Sequence, residues 1–128
     1  MTTERLDTTQ TYKAAADLSS NYGFFLRQTA ARTAGAITAK TQSPVGALLN
    51  KPSSAGAEAS VCKRGRVELV ASAAIAAGAK IGPSANGRAE TKTPGSTSGE
   101  YYCGEAVTAA SAAGEYIVAE IHDPVYLA

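Results

Sequence analysis

The chain has few of the residues on which many familiar protein functions depend. It contains no tryptophan, two cysteines and a single histidine in 128 residues. Cys62 and Cys103 lie far apart and match neither a CxxC pair nor a zinc-ligand spacing. Any Ser-His-Asp or Cys-His arrangement would depend on the single histidine, His122, which is expected at the surface near the end of a strand. The sequence therefore predicts no metal site, no cofactor and no enzymatic activity.

Charge and long apolar runs are also scarce. Lysine and arginine total 12 against 11 acidic residues, a net charge of +1, whereas proteins that bind nucleic acid usually carry a strong basic field. No apolar run approaches the roughly 20 residues that span a bilayer. The opening residues, MTTERLDTTQTYK, lack the apolar segment of a signal peptide. We therefore expect a soluble protein made in the cytoplasm, with no membrane contact and no direct nucleic-acid partner.

Aromatic residues are the third scarcity. They make up 6% of the chain although hydrophobic residues make up 45%, because much of the apolar content is alanine. Such a composition predicts a thin core, and association into a homo-oligomer would add burial. The simpler alternative is a small sheet protein of modest stability.

Short runs of alternating apolar and polar residues occupy most of the chain. The run from Glu58 to Ala71 is the longest, and its Gly65 is expected to form a bulge. Turn residues separate the runs regularly, which favours a mainly β fold, a small β-barrel or sandwich. Residues 1–13 are polar and aperiodic, so we expect an extended N-terminal arm followed by one β-rich domain at 14–128. The predicted strands are Tyr22–Gln28, Gly35–Lys40, Ala47–Leu49, Glu58–Ala71, Lys80–Ile81, Arg88–Thr91, Glu100–Thr108 and Gly114–His122, with Asp123-Pro124 ending the sheet.

The alanine-rich stretch SAAIAAGAKIGPSANGRA, residues 72–89, has two interpretations. Alanine favours a helix, but Gly78 and the Gly82-Pro83 pair leave barely two turns. The Asn86-Gly87 dipeptide is a tight-turn signal and needs a strand on each side. Similar small-residue stretches, at 54–58 and 112–115, also precede extended runs. We therefore interpret all three stretches as corners between strands, with short helical turns at most.

The one basic cluster in the sequence consists of Lys63, Arg64 and Arg66. It is a candidate for contact with an acidic partner surface or a phosphate, and the simpler alternative is a solvated strand face. Tyrosines are suited either to interfaces or to packing at the edge of a core. Five of them are candidates for either role: Tyr12, Tyr101, Tyr102, Tyr116 and Tyr126.

The order of these motifs resembles that of the small capsid cement, or head decoration, proteins of tailed bacteriophages. The resembling segments are AAADLSSNYGFFLRQT at 14–29, SPVGALLNKPSSAGAEASVCKRGRVELVASAAIAAGAKIGPSANGRA at 43–89, and CGEAVTAASAAGEYIVAEI at 103–121. Each motif alone indicates only a turn between strands. The resemblance lies in the order of the motifs along most of the chain. The basic stretch at 62–66 and the loop at 91–99 depart from the family pattern.

The resemblance implies a structural virion protein without catalysis. Such a protein binds the outer surface of the assembled major capsid protein lattice and stabilises the head against internal DNA pressure. The resemblance also implies a homo-oligomer, with a trimer favoured over a dimer. It places the protein on the outer capsid surface of the virion after synthesis in the host cytoplasm.

Candidate contact residues follow from the patterns above. A polar arm that becomes ordered on the lattice would use Leu6 and Tyr12 as apolar anchors. An alternative function is a virion-displayed module that recognises a glycan or host surface, with exposed loops such as 91–99 as its binding elements. A nucleic-acid-binding barrel using the basic cluster is a further alternative. The full set of candidate contacts with capsid protein or with other copies is Leu6, Tyr12, Lys63, Arg64, Arg66 and Tyr126.

Overall fold

The computed structural model describes residues 5–128, with side chains described from Thr9 onward. Within that part of the chain nine β-strands and no helix form. The predicted mainly β fold is confirmed, and hydrogen-bonded turns stand where short helical turns were expected. The strands are β1 (Arg5–Ala14), β2 (Phe25–Ala30), β3 (Thr33–Ala36), β4 (Gly46–Leu48), β5 (Glu58–Val70), β6 (Lys80–Pro83), β7 (Ala89–Thr91), β8 (Glu100–Ala106) and β9 (Tyr116–Leu127).

Five strands close into a small barrel. They pair in the order β1, β3, β2, β4 and β5, and β5 returns to pair with β1 along Arg5–Lys13. Closure removes the free strand edges that would otherwise invite pairing with other chains. Every strand of the barrel contributes to its interior, whose buried side chains are Tyr12, Ala14, Leu18, Leu26, Ala34, Leu48, Ala59 and Val61.

The other four strands continue the sheet beyond the barrel. They follow β5 in the order β9, β8, β6 and β7. A parallel bridge from Ala71 to Ala89 brings β7 back to the end of β5, so this half also curls around a core. Its large buried side chains include Val67, Leu69, Ile81, Cys103, Ile117 and Ile121.

A wall of three neighbouring strands, β2, β4 and β5, separates the two cores. Phe25, Ala47 and Cys62 are cross-strand neighbours and face the larger core. Successive residues of a strand point to opposite faces. Their sequence neighbours Leu26, Leu48 and Val61 therefore face the barrel interior, and both faces of the wall are buried.

The small-residue corners predicted from the sequence are present. Gly56, Gly78 and Gly114 each adopt a positive φ between 85° and 88°, and each turns the chain toward a strand. In the alanine-rich stretch, Ile75 exchanges backbone hydrogen bonds with Ala110 at 2.9 Å instead of starting a helix. The Asn86-Gly87 hairpin also forms, and its tip docks on the wall because the Phe25 amide donates to the Gly87 carbonyl at 2.7 Å.

The two ends of the chain differ most from the expectation based on sequence. Residues 5–13 of the predicted N-terminal arm are extended, but they lie in β1 and are paired with β5 of the same chain. Asp123-Pro124 was expected to end the sheet, and this expectation was wrong. A register shift between Tyr102 and Gly104 lets β8 stay paired with β9, which continues through Pro124 to Leu127.

Replacing Gly46 by alanine is expected to destabilise the wall. Gly46 has a φ of +149°, and a Cβ at this position would collide with the carbonyl group of Cys62 on β5. Backbone strain of about 1–3 kcal/mol and a steric clash of similar size together predict a loss of about 2–6 kcal/mol. Urea unfolding followed by circular dichroism would measure the free energy of unfolding.

The matched control is Gly56→Ala. Gly56 also has a positive φ, +85°, but beyond its chain neighbours no atom lies within 4 Å of the position that a Cβ would occupy. Only strain of about 1–2 kcal/mol is therefore expected. Equal losses in the two variants would contradict the assigned packing of Gly46 against β5.

Candidate functional site

The basic cluster lies where the two halves of the sheet meet. β4 and β9 follow one another along the same edge of β5, because β4 pairs at Val61–Cys62 and β9 pairs from Gly65 onward. Between these pairings, Lys63 and Arg64 have no strand partner on that edge. We call this position the seam.

A cleft of about 210 Å³ opens at the seam. Its floor is apolar and includes Phe25, Val45 and Ile121, while Lys63 and His122 bring polar groups to it. The cleft exists because the pairing of the short β4 with β5 ends before that of β9 begins, which leaves a gap beside Lys63. It is large enough for one side chain of a partner and smaller than the roughly 300–1,000 Å³ of a typical small-molecule site.

Acidic residues of β9 neutralise much of the basic cluster. Arg64 Nε lies 3.5 Å from Asp123 Oδ1, and Arg66 Nη2 lies 3.1 Å from Glu120 Oε1. Lys63 Nζ instead donates to Gln10 Oε1 at 3.3 Å and lies 5.9 Å from the ring centre of Tyr12. These pairs are exposed or half-exposed, so each contributes little to stability. They make a surface on which positive and negative side chains alternate. Among the described residues, Lys63 is the cation of the cluster that has no carboxylate partner.

Both cysteines are buried as thiols. The Cys62 thiol donates to the Arg64 carbonyl at 3.0 Å. Burial raises the pKa of the Cys103 thiol far above its ordinary range, and a protonated thiol is a poor nucleophile and metal ligand. The two side chains therefore act as small apolar residues of the larger core.

His122 belongs to a surface group of charged and aromatic side chains. Its Nε2 lies 3.6 Å from Glu105 Oε2, and its ring packs edge-on against Tyr102 at 5.4 Å. Lys80 Nζ lies 5.1 Å from the centre of the same tyrosine ring. Across the described part of the chain, no group of three His, Cys, Asp or Glu side chains is placed to hold a metal ion.

An exposed aromatic strip runs along the end of the β8–β9 pair. Tyr126 is 58% exposed and packs edge-on against Tyr101, with ring centres 5.2 Å apart. Val125, one residue earlier, is 42% exposed but points to the opposite face of the pair. This part of β9 extends past the last residue of β5 with which it pairs, so no neighbouring strand among the described residues covers its outer edge.

The structure separates the sequence-predicted contact residues into three groups. Lys63, Arg64 and Arg66 lie together at the seam, and Tyr126 lies on the strip. Tyr12 is 4% exposed inside the barrel, so its predicted role as an exposed anchor is corrected to that of a core residue, because β1 turns its side chain inward. The Leu6 side chain lies outside the described residues. Sequence reasoning missed Asp123 and Val125, because the sheet was expected to end at Asp123-Pro124.

A group of ion-paired side chains, partly buried, lies at the base of the loop at 93–99. Lys92 is 2% exposed, and its Nζ lies 2.8 Å from Glu90 Oε2 and 2.6 Å from Glu100 Oε1. Lys40 extends the group, with its Nζ 3.0 Å from Glu90 Oε1. The pKa of Glu90 is raised by burial, but hydrogen bonds from Lys92 and Lys40 outweigh that effect and hold it below 4.5. These contacts fix both ends of the loop and tie it to the segment before β4.

The comparisons with known proteins give a structural neighbour but no family. No family model matches the chain, and no curated protein matches it in sequence. Among solved structures, the chain is similar to the N base of the head fiber protein gp8.5 of bacteriophage phi29. The TM-score is 0.66 at 15% sequence identity, and the alignment covers 89% of this chain and 92% of the other. The likeness therefore extends over nearly the whole fold of both chains.

In the part of the chain that is described, no helix has the length and apolar character to span a bilayer.

Replacing Lys92 by methionine is expected to destabilise the protein at neutral pH. The substitution leaves Glu90 and Glu100 close together without the cation between them, and breaking a buried ion pair in this way costs about 3–5 kcal/mol. The control Lys80→Met removes an exposed pair in which Nζ lies 3.9 Å from Glu105 Oε2, and about 1 kcal/mol or less is expected. Thermal and urea unfolding at pH 7 would compare the two variants.

The pH dependence supplies a second readout for the same group. A carboxyl whose pKa is lowered on folding stabilises the protein above its unfolded value of 4.5, and this stabilisation is lost as the pH falls through the folded value. The wild type should therefore lose stability below about pH 4.5, and the loss caused by Lys92→Met should shrink there. A deficit of Lys92→Met that stays constant from pH 7 to pH 3 would contradict the ionic role of Lys92.

Proposed function

We propose that the chain is a structural protein of a bacteriophage virion. In this proposal it binds the outer surface of the assembled major capsid protein lattice and stabilises the head against the pressure of packaged DNA. The observation that carries the proposal is the fold, which is similar over nearly its whole length to the base of a phage head fiber. The order of turn motifs, which resembles that of capsid decoration proteins, points in the same direction by an independent route.

The exposed strip and the seam together provide a surface suited to this role. Tyr126 and Tyr101, which pack together on one face of the β8–β9 pair, supply aromatic area of the kind enriched at protein interfaces. Lys63 and the Arg64–Asp123 pair lie close by along β5 and β9 and supply a polar rim. We propose that capsid protein contacts this surface, with one apolar side chain entering the seam cleft.

A repeated contact does not need to be strong. A decoration protein binds many equivalent positions on a lattice, and linked copies add avidity without any new contact. We therefore propose that the protein acts as a homo-oligomer, with a trimer favoured over a dimer. Light scattering after size-exclusion chromatography would give the number of subunits in solution.

The N-terminal segment requires a particular experimental design. β1 closes the barrel, so deletion of residues 2–12 would remove most of a structural strand and confound binding with unfolding. The proposal that this segment contacts the lattice is instead tested by Leu6→Ala, which leaves the backbone of β1 in place.

The proposed function predicts saturable binding to capsids that lack their own decoration. Purified protein should co-sediment with such capsids at a fixed ratio to the major capsid protein. It should also raise the temperature at which the shells lose their integrity, because a ligand that binds only the intact state stabilises it. Absence of co-sedimentation at micromolar concentration would contradict the proposal.

Tyr126→Ala is expected to weaken capsid binding about tenfold or more. Removal of a central interface tyrosine typically costs about 1–2 kcal/mol or more, and each 1.4 kcal/mol is roughly a factor of ten in affinity. The matched control is Tyr116→Ala, because Tyr116 is 54% exposed and lies at the opposite end of β9. Equal binding of the two variants would place the contact elsewhere on the molecule.

A further inference from the structure

A second cleft lies at the start of β9, at the other end of this strand from the aromatic strip. It has a volume of about 320 Å³ and is mainly polar. Five separate parts of the chain build it: the segment before β2, the segment after β4, the end of β5, the β6–β7 turn and the start of β9. The residues on which the argument depends are Ser20, Tyr22, Lys51, Arg88 and Tyr116.

Two tyrosine rings form one wall of this cleft. Tyr22 and Tyr116 pack with ring centres 6.3 Å apart and an angle of 49° between their planes. The Tyr22 hydroxyl donates to Glu68 Oε1 at 3.2 Å, which helps to fix that ring. Tyr116 is 54% exposed, a large exposed area for an aromatic side chain in a chain with few of them. A flat, partly apolar ligand ring can stack on such a face.

Two cations also line the cleft. Lys51 Nζ lies 6.0 Å from the centre of the Tyr22 ring, and the Arg88 guanidinium lies 5.5 Å from the centre of the Phe24 ring. Arg88 Nε is buried and has no hydrogen-bond partner among the described residues. Within the same part of the chain, neither Lys51 nor Arg88 forms an ion pair, and no residue lining the cleft is acidic. The lining itself therefore carries two positive charges, while the carboxylates of Glu68 and Asp17 accept hydrogen bonds from the lining residues Tyr22 and Ser19.

The cations of the chain differ in whether a carboxylate neutralises them. Lys63, like Lys51 and Arg88, lies near an aromatic ring and has no carboxylate partner among the described residues. Arg64, Arg66, Lys80 and Lys92 each have a carboxylate within 4 Å. Stacking of Arg88 on Phe24 holds its guanidinium in place without neutralising the charge. A cation held by an aromatic ring rather than by a carboxylate stays available for an anionic ligand.

We propose that this cleft binds a saccharide that carries a carboxylate, such as a uronic acid unit. One sugar ring stacks on Tyr116, its carboxylate pairs with Lys51 and Arg88, and its hydroxyl groups exchange hydrogen bonds with side chains such as Ser20. Aromatic rings alone would suit a neutral sugar, and cations alone would suit a simple anion. Aromatic rings and cations in one cleft favour a negatively charged sugar over both a neutral sugar and a simple anion. This inference does not depend on capsid attachment.

The test is an NMR titration of the full-length protein with trigalacturonate. Amide shifts should change around residues 19–24, 51, 88 and 114–116, and the binding should weaken as salt is added. The methyl ester of the same trisaccharide keeps the rings and removes the charge, and at least about tenfold weaker binding is expected. Tricarballylate keeps three carboxylates and removes the rings, and it should also bind at least about tenfold more weakly.

Matched variants locate the site. Tyr116→Ala should weaken trigalacturonate binding about fivefold or more, and Arg88→Gln should remove most of the difference between trigalacturonate and its ester. Tyr126→Ala, which removes a similarly exposed tyrosine from the other end of β9, should bind trigalacturonate like the wild type. Circular dichroism and thermal unfolding would establish that each variant is folded.

Three results would overturn the proposal. They are no shift changes with trigalacturonate, equal binding of the ester or of tricarballylate, and equal losses in the Tyr116 and Tyr126 variants. The roles of the two variants are reversed in the capsid experiment. There Tyr126→Ala is the variant expected to lose binding, and Tyr116→Ala is the control. Failure of one proposal therefore leaves the other measurable.

Discussion

Burial on both faces of the β2–β4–β5 wall is the constraint on which the rest of the structure depends. The row Phe25, Ala47 and Cys62 faces one core, and Leu26, Leu48 and Val61 face the other. A strand that is buried on both faces cannot shift its register by one residue without exchanging the two sets of side chains. The wall therefore fixes the position of both halves of the molecule. It also explains how a chain with 6% aromatic residues remains compact, because three strands serve two cores.

The close packing of strands in the wall determines where a larger side chain cannot be accommodated. β4 is three residues long and lies close to β5, so Gly46 has no room for a side chain. The short β4 also leaves the gap along β5 that forms the seam. The short β4 thus accounts both for a position that has no room for a side chain and for the cleft beside the basic cluster.

Sequence reasoning identified the parts of the fold that depend on local chemistry. Strands β2 and β4 to β8, the start of β9, the three glycine corners and the Asn86-Gly87 hairpin follow from turn residues and alternation, which act over a few residues. Strand β3 was expected at Gly35–Lys40 but lies at Thr33–Ala36. β1 was not recognised as a strand because its polar residues, Thr8 to Thr11 among them, show no alternation. Its pairing with β5 is set by residues about 50 positions away. Likewise, the continuation of β9 through Pro124 depends on a register shift in β8, which no local pattern encodes.

The candidate sites were less predictable, for a related reason. The sequence places Lys63, Arg64 and Arg66 together, but their charge is moderated by Asp123 and Glu120 of β9. Conversely, Lys51 and Arg88 lie 37 positions apart and share a cleft only because the hairpin tip docks on β2.

The direction of β9 relates the two proposed surfaces to each other. Tyr116 and Tyr126 lie near its two ends, and ten residues of extended strand span roughly 30 Å at about 3.3 Å per residue. A partner that covers one end therefore leaves the other end free. Because β9 pairs with β5 along one half and with β8 along the other, the two ends are held by the same rigid sheet. An attachment surface and a recognition surface at these positions would not compete for the same residues, and a lattice would present every copy of the second surface in one orientation.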